Sequence, residues 1–245
     1  MKYDLYKDSG IPWIGEIPSS WRLIPNQVLF KKRQVIVGAA SRDYKLLSLT
    51  TNGVKEKDIE DSRGKVPVSY DGYQEVRPHD MVFCLFDLDM SAVFSGVSKF
   101  HGMITSAYDV AVCNKSYINE KYVDYWFQYV FSNRYYKIYS KNVRYTISFG
   151  AFGAIKTPVP PIEEQKQIVR FLDWKVSSIN KLISLRKKEI KLLEELKEKI
   201  ISDTVTGNID VRSLNVPEGN FNEEQFDIFG KEAEASKAIS DEQEE

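Results

Sequence analysis

The chain has 245 residues, 42% of them hydrophobic and 28% charged, with a formal net charge of −1. That composition belongs to soluble globular proteins with room for a sizeable core and an appendage. It excludes a membrane span, since no apolar run is long enough, and a secretory signal, since "MKYDLYKDSG" has neither an apolar core nor a small-residue cleavage site.

The charge is unevenly spread. From Glu218 to the C-terminus there are ten acidic and two basic residues, a net of −8, which leaves +7 on residues 1–217. A basic body suits a polyanionic partner, although surplus lysine also serves solubility. The acidic tail is poor in aliphatic residues and is expected to be disordered and solvated. Cys84 and Cys113, the two cysteines, form neither a zinc pattern nor a disulfide framework, and a reducing cytoplasm is expected.

In chain order, "SGIPWIGEIPSSWRL" comes first. Prolines at 12, 18 and 25 exclude a helix, so an extended arm is predicted, with Trp13 and Trp21 packed on the domain. From Val28 to Cys113, β-rich runs ("YKLLSLTTNGV", "KVPVSYDGY", "MVFCLFDL", "YDVAVCN") alternate with the turn dipeptides Asn52-Gly53 and Asp71-Gly72. "NEKYVDYWFQYVFSNRYYKIYSK" reads as a helix capped by Asn119, with Tyr122, Trp126, Tyr129 and Val130 as its core stripe. A glycine-rich loop, "KNVRYTISFGAFGAIK", and a proline hinge at 157–161 follow.

A long helix is predicted over 162–207. Glu163 and Glu164 suit its N-terminal dipole and Gly207 its end. Leu172, Val176, Ile179, Ile183, Arg186, Ile190, Leu193, Lys197 and Ile200 follow steps of four and three, and seven of these nine are apolar. Leu182, Leu185, Leu192 and Leu196 broaden the seam. At 1.5 Å per residue the helix runs about 65 Å, too long to bury its seam against its own domain. The fold class is therefore α+β: a mostly β domain with short helices over 1–156, the hinge, one coiled-coil helix, and a C-terminal segment over 208–245.

Catalytic chemistry has little to rest on. His79 and His101 have no placeable carboxylates to complete a metal site. There is no phosphate-binding P-loop, and "FGAFGAI" is not a dinucleotide fingerprint. Asp87 and Asp89 in "FDLDM" would share one face of a strand and could hold magnesium in a nuclease, but no supporting lysine is near in sequence. No cofactor and no metal are expected.

Four stretches, "IPWIGEIPSSW", "GVSKFHGMITSAYDVAVC", "PVPPIEEQKQIVRFLDWKV" and "VTGNIDVR", resemble the specificity subunit of type I restriction–modification systems. The family's proline-proline turn followed by Glu-Gln corresponds to Pro160, Pro161, Glu164 and Gln165. The resemblance runs over about residues 1–212. It implies a non-catalytic DNA-reading subunit in which two target recognition domains are held apart by two antiparallel helices. Methyltransferase and restriction/translocase subunits supply the chemistry. Here each motif occurs once and no internal repeat is found, so the resemblance is to a half-subunit. An unpaired seam then implies a second copy, with C₂ pairing and an interrupted palindrome as target.

Family motifs do not locate base contacts. Basic and amide side chains on glycine-flanked loops are the candidates on chemical grounds: Ser41, Arg42, Arg63, Lys65, Lys141, Asn142, Arg144 and Tyr145, with Lys31, Lys32 and Arg33 as phosphate contacts. The alternative for each is an ordinary exposed surface residue. Two other functions stay open: a coiled-coil interaction protein or remnant with no DNA role, and a metal-dependent nuclease.

Overall fold

The computed structural model describes residues 3–57, 69–140 and 144–214. The acidic tail, Arg63, Lys65, Lys141 and Asn142 lie outside them. The chain divides into two units, Met1–Ile179 and Asn180–Glu245.

The first unit holds all the described strands. They are β1 (Tyr6–Asp8), β2 (Glu16–Pro18), β3 (Arg22–Pro25), β4 (Phe30–Lys32), β5 (Leu47–Thr50), β6 (Gly53–Glu56), β7 (Gln74–Val76), β8 (Met81–Phe83), β9 (Ser95–Val97), β10 (Gly102–Ile104), β11 (Asp109–Cys113) and β12 (Lys156–Val159). The helices are α1 (Asn26–Leu29), α2 (Glu120–Ser132), α3 (Phe149–Ala154) and α4 (Ile162–Val205). The α+β class predicted from the sequence holds.

A four-stranded antiparallel sheet, ordered β4-β11-β8-β9, organises the core. Successive residues of a strand face opposite ways, so the run Met81-Val82-Phe83 feeds two cores at once. Phe83 and Met81 join Phe30, Ala111, Cys113, Phe127 and Phe152 on one face. Val82, Cys84 and Val110 join Leu47, Leu49, Val54, Val76 and Ile104 on the other. Both faces are covered, which is why this strand reads as continuously apolar. The first core is aromatic: the Phe83 ring centroid lies 5.3 Å from Phe30, 5.5 Å from Phe127 and 5.0 Å from Phe152.

The arm packs as expected. Trp13 stacks on Trp126 and Tyr135 and donates to the Tyr139 hydroxyl at 2.8 Å. Asn119 caps α2, its side chain accepting from the amides of Lys121 and Tyr122. The buried face of α2 differs from the predicted stripe. Tyr122, Val123, Phe127 and Val130 are inside, while Tyr129 is exposed and Trp126 meets the arm. Once Trp13 offers an aromatic partner at the surface, Trp126 need not enter the core.

Three further expectations are corrected. The glycine-rich stretch is helical over α3, capped by the Ser148 hydroxyl, which accepts from Ala151 N. Gly153 serves contact, not flexibility: a Cβ there would sit 3.2 Å from Cβ of Gln27 in α1. The 157–161 segment is a strand for its first three residues, with Thr157 opposite Ile24 and Pro158 opposite Leu23. Proline is tolerated because β12 pairs on one side only. Asp87 and Asp89 lie in a turn beyond β8, not on a strand, and Asp87 has φ 47°.

Gln165, fully buried in the first turn of α4, joins this unit together. Its Nε2 donates to the carbonyls of Tyr117 and Pro160, both at 2.8 Å, and its Oε1 accepts from Asn119 N at 2.7 Å. The helix ends close to expectation, with Gly207 at φ 78° beyond Val205.

Gln165→Leu keeps the volume but strands three backbone groups. The unfolding free energy in urea is expected to fall by about 3 kcal/mol. A loss below about 1 kcal/mol would mean that these groups find other partners.

Candidate nucleic-acid interface

Among the described residues, four non-glycine residues adopt positive φ: His79, Asp87, Arg134 and Tyr145. Such backbone is costly for side chains with a Cβ and gathers at functional sites. Asp87, Arg134 and Tyr145 meet in one place. The turn after β8 and the segment from Arg144 are tied together by Leu88 N donating to Arg144 O at 3.1 Å and Ile147 N to Leu85 O at 2.7 Å. Asp87 N donates to the Thr146 hydroxyl at 3.3 Å.

This paired loop carries a basic, aromatic surface. Asp89 is met by Lys137 at 2.8 Å and Arg134 at 3.5 Å, and it accepts from the Tyr136 hydroxyl at 3.0 Å. The Lys137 hydrogen bond, with help from Tyr136 and the two cations, holds the Asp89 carboxyl below the usual carboxylate range. Lys137 Nζ also stands 4.4 Å from the Tyr145 ring centroid. The Arg144 side chain is 81% exposed and lies 3.8 Å from Asp87. Met90, at 89%, is the most exposed large apolar side chain among the described residues.

Of the candidates named from the sequence, Arg144 and Tyr145 lie on this surface, and Arg134 and Lys137, which were not among them, lie there too. Arg134 and Lys137 follow α2, where they pass for a helix end. The sequence reading also found no lysine near Asp89, yet Lys137 is beside it. The two segments are 48 residues apart, and only the fold brings them together.

The other candidates divide by burial. Lys31 is exposed and lines an open groove of about 500 Å³ with Gln27, Val28, Val112 and Asn114. Arg42 is exposed at the end of a 3-10 turn, Gly38–Asp43. Lys32 is half committed, 2.6 Å from Asp109 and 5.5 Å from the centroid of Phe149. Ser41 and Arg33 point inward. The Ser41 hydroxyl donates to Asp71 at 3.0 Å. Arg33, with a side chain 18% exposed, pairs with Asp80 and with Glu75. Arg77 and His101 also bind Glu75, at 2.9 Å each.

Burial disfavours the Glu75 carboxylate, but His101, Arg77 and Arg33 outweigh it and lower its pKa. At Asp80 burial prevails over the same arginines and raises the pKa. Each histidine has found a carboxylate, since His79 contacts Glu120 at 2.7 Å. No group of three or more His, Cys, Asp or Glu able to hold a metal occurs among the described residues. No described helix is long and apolar enough to cross a membrane.

The seam residues are exposed within their own units. Val176 and Ile179 belong to the first, and Ile183, Ile190, Leu193 and Ile200 to the second, while Leu172 is half-buried.

No family model matches the chain. Two curated relatives from Methanocaldococcus jannaschii do. One, the type I restriction enzyme MjaVIII specificity subunit, is 39% identical over 61 residues, 25% of this chain and 13% of the relative. The other, the putative type I restriction enzyme MjaX specificity subunit, is 38% identical over 60 residues, 24% and 13%. The chain resembles the specificity subunits of type I restriction enzymes.

The fold agrees with the specificity-subunit resemblance. The HsdS subunit from Thermoanaerobacter tengcongensis matches with a TM-score of 0.50 at 16% identity, over 84% of this chain and 49% of that one. A chain from a type I R-M system, solved for its complex assembly and conformational transition, matches with a TM-score of 0.53 at 14% identity, over 81% and 48%. The chain thus spans about an eighth of the length of the curated relatives and about half of each of the two solved chains.

Arg33 and Arg144 should separate cleanly in stability. Arg33→Ala leaves two buried carboxylates short of a cation and is expected to cost about 3–5 kcal/mol in chemical denaturation. Arg144→Ala should stay within about 0.5 kcal/mol of the parent. Equal values would contradict the division into internal and external cations.

Proposed function

We propose that this chain is the DNA-reading subunit of a type I restriction–modification complex, and that each copy reads one half of a split target. The observation that carries this reading is the paired loop. Three residues at positive φ converge there and present Arg144, Arg134, Lys137 and Tyr145 on one surface. Arginine bonds guanine edges in a bidentate way, lysine and tyrosine suit phosphate, and a loop locked by its backbone holds them in register. The similarity to specificity subunits supports the same reading.

On this reading residues 1–156 form the recognition domain and 162–207 the spacer helix, with 157–161 between them. Two copies pair antiparallel along α4, which puts one recognition domain at each end of the coil and matches dyad-related half-sites. The exposed seam from Val176 to Ile200 supports the pairing. DNA methylation and cleavage belong to methyltransferase and restriction/translocase partners, and the chain itself is not an enzyme. Asp87 and Asp89, engaged by Arg144, Lys137 and Arg134, favour a charge-balanced DNA contact over a magnesium site.

Arg144→Ala is expected to weaken binding to the cognate duplex by about 10- to 100-fold and binding to scrambled DNA far less, because a bidentate base contact carries about 1–3 kcal/mol of discrimination. Lys31→Ala should weaken both alike and reduce the salt slope. Equal losses on both duplexes for Arg144→Ala would remove it from base reading. No salt-dependent binding by the parent chain would overturn the function and leave a coiled-coil interaction protein.

Replacing Ile183 and Ile190 together by Asp buries unpaired charge in any coil formed along this seam. Equilibrium sedimentation should then show monomer where the parent is a dimer. A dimer that persists would place the contact elsewhere.

A further inference from the structure

The connection between β8 and β9 carries an apolar side chain into the basic surface at Asp87 and Tyr145. Met90 stands there 89% exposed. A lone exposed methionine is ordinary on a protein surface. What sets this one apart is its seat. Met90 N and Ser91 N both donate to Asp87 O at 2.9 Å, and Asp87 itself holds φ 47°. The Ser91 hydroxyl donates to Val93 O at 2.6 Å and accepts from Val93 N at 3.2 Å. Two residues before Met90, Leu88 is buried in the aromatic core. The backbone is therefore fixed on both sides of a side chain that the unit leaves uncovered.

Its surroundings are charged. Asp89, the adjoining residue, holds Lys137 at 2.8 Å and Arg134 at 3.5 Å, and Arg144 lies 3.8 Å from Asp87. Arg134, Lys137 and Arg144 outnumber Asp87 and Asp89, so the rim of the turn stays positive. A positive rim around one apolar side chain suits a polyanion that also shows an apolar group. Duplex DNA has such a group in the thymine methyl. It lies in the major groove, where arginine also meets guanine O6 and N7. Methionine fits the contact, because its unbranched, polarisable thioether adapts to the shape it meets.

We propose that Met90 reads a thymine methyl group close to the guanine read by Arg144. This rests on the functional reading above and adds to it a second base and the chemistry that recognises it. Asp87 links the two side chains, since it lies against Arg144 and its carbonyl accepts from Met90 N. Residues three apart in a turn lie within about 7 Å, and bases stack about 3.4 Å apart. The thymine therefore falls within about two steps of the guanine. The contact forms no hydrogen bond; it discriminates by covering a methyl group that uracil lacks. Arg134 and Lys137 serve the phosphates on either side.

The probe is a duplex enriched on the full chain from a random-sequence library. It is then resynthesised with each thymine of the half-site replaced in turn by deoxyuridine, which removes the methyl group alone. Binding is read by fluorescence anisotropy. One replacement should weaken the parent about fourfold, the worth of one methyl withdrawn from an apolar contact. For Met90→Ala the thymine and uracil duplexes should differ by less than about 1.5-fold, both binding more weakly than the parent binds thymine. Met90→Leu should restore most of the difference. Because Met90 is exposed, Met90→Ala should unfold in urea together with the parent.

A library that enriches no sequence overturns this inference together with the functional reading behind it. An enriched half-site in which no thymine responds to uracil overturns the methyl contact alone. So does a response that Met90→Ala leaves unchanged, since another side chain then meets the methyl. Weaker binding by Met90→Ala with no uracil effect and a smaller bend in the duplex would make Met90 a wedge between base pairs, which also overturns the methyl contact.

Discussion

One buried amide organises the first unit. Gln165 is the only side chain in the "PPIEEQ" stretch that offers two donors and an acceptor at once, and all three are used on backbone groups away from water. Glutamate would lose both donors, and leucine all three bonds. Pro160 and Pro161 fit the arrangement because neither brings an N–H that would need a partner. Their carbonyls still serve: Pro160 O meets the Gln165 side chain, and Pro161 O accepts from Gln165 N at 3.0 Å as the helix begins. The cap of α2 and the start of α4 thus share one node.

Around that node the two cores do different work. The aromatic core beneath α2 and α3 holds the helices against the central sheet through Phe30, Phe83, Phe127 and Phe152. The aliphatic core on the other face holds the β5–β6 hairpin and β7 with β10. The loop pair at Asp87 and Tyr145 depends on this base: its left-handed residues are held by backbone bonds into Leu85 and Arg144, next to buried Leu88.

Electrostatics follows the same division. The +7 of residues 1–217 is a sum over unlike cations. Arg33 is spent on buried Asp80 and Glu75, and Lys32 partly on Asp109. Arg144, Lys31 and Arg42 remain at the surface. A surface for a polyanion depends on the second group, and net charge alone does not distinguish the two.

Much of the architecture is decided by residues close to one another in the chain. The strands at Leu47–Thr50, Met81–Phe83 and Asp109–Cys113, the Asn119 cap and the glycine terminator each depend on a few neighbours, and they stand as read. The four ordered motifs likewise sufficed for the resemblance to type I specificity subunits. Other features needed contacts across long separations. Gly153 lies in α3 against Gln27 of α1, and Thr157 to Val159 form a strand because β3 lies alongside. Arg33 turned inward because Asp80, 47 residues on, waits there. Arg134 and Lys137 joined the loop because Asp89 draws them in. Periodicity and capping are local properties of a chain. Which cations stay free, and which backbone can hold a positive φ, are set by partners that only the tertiary fold brings within reach.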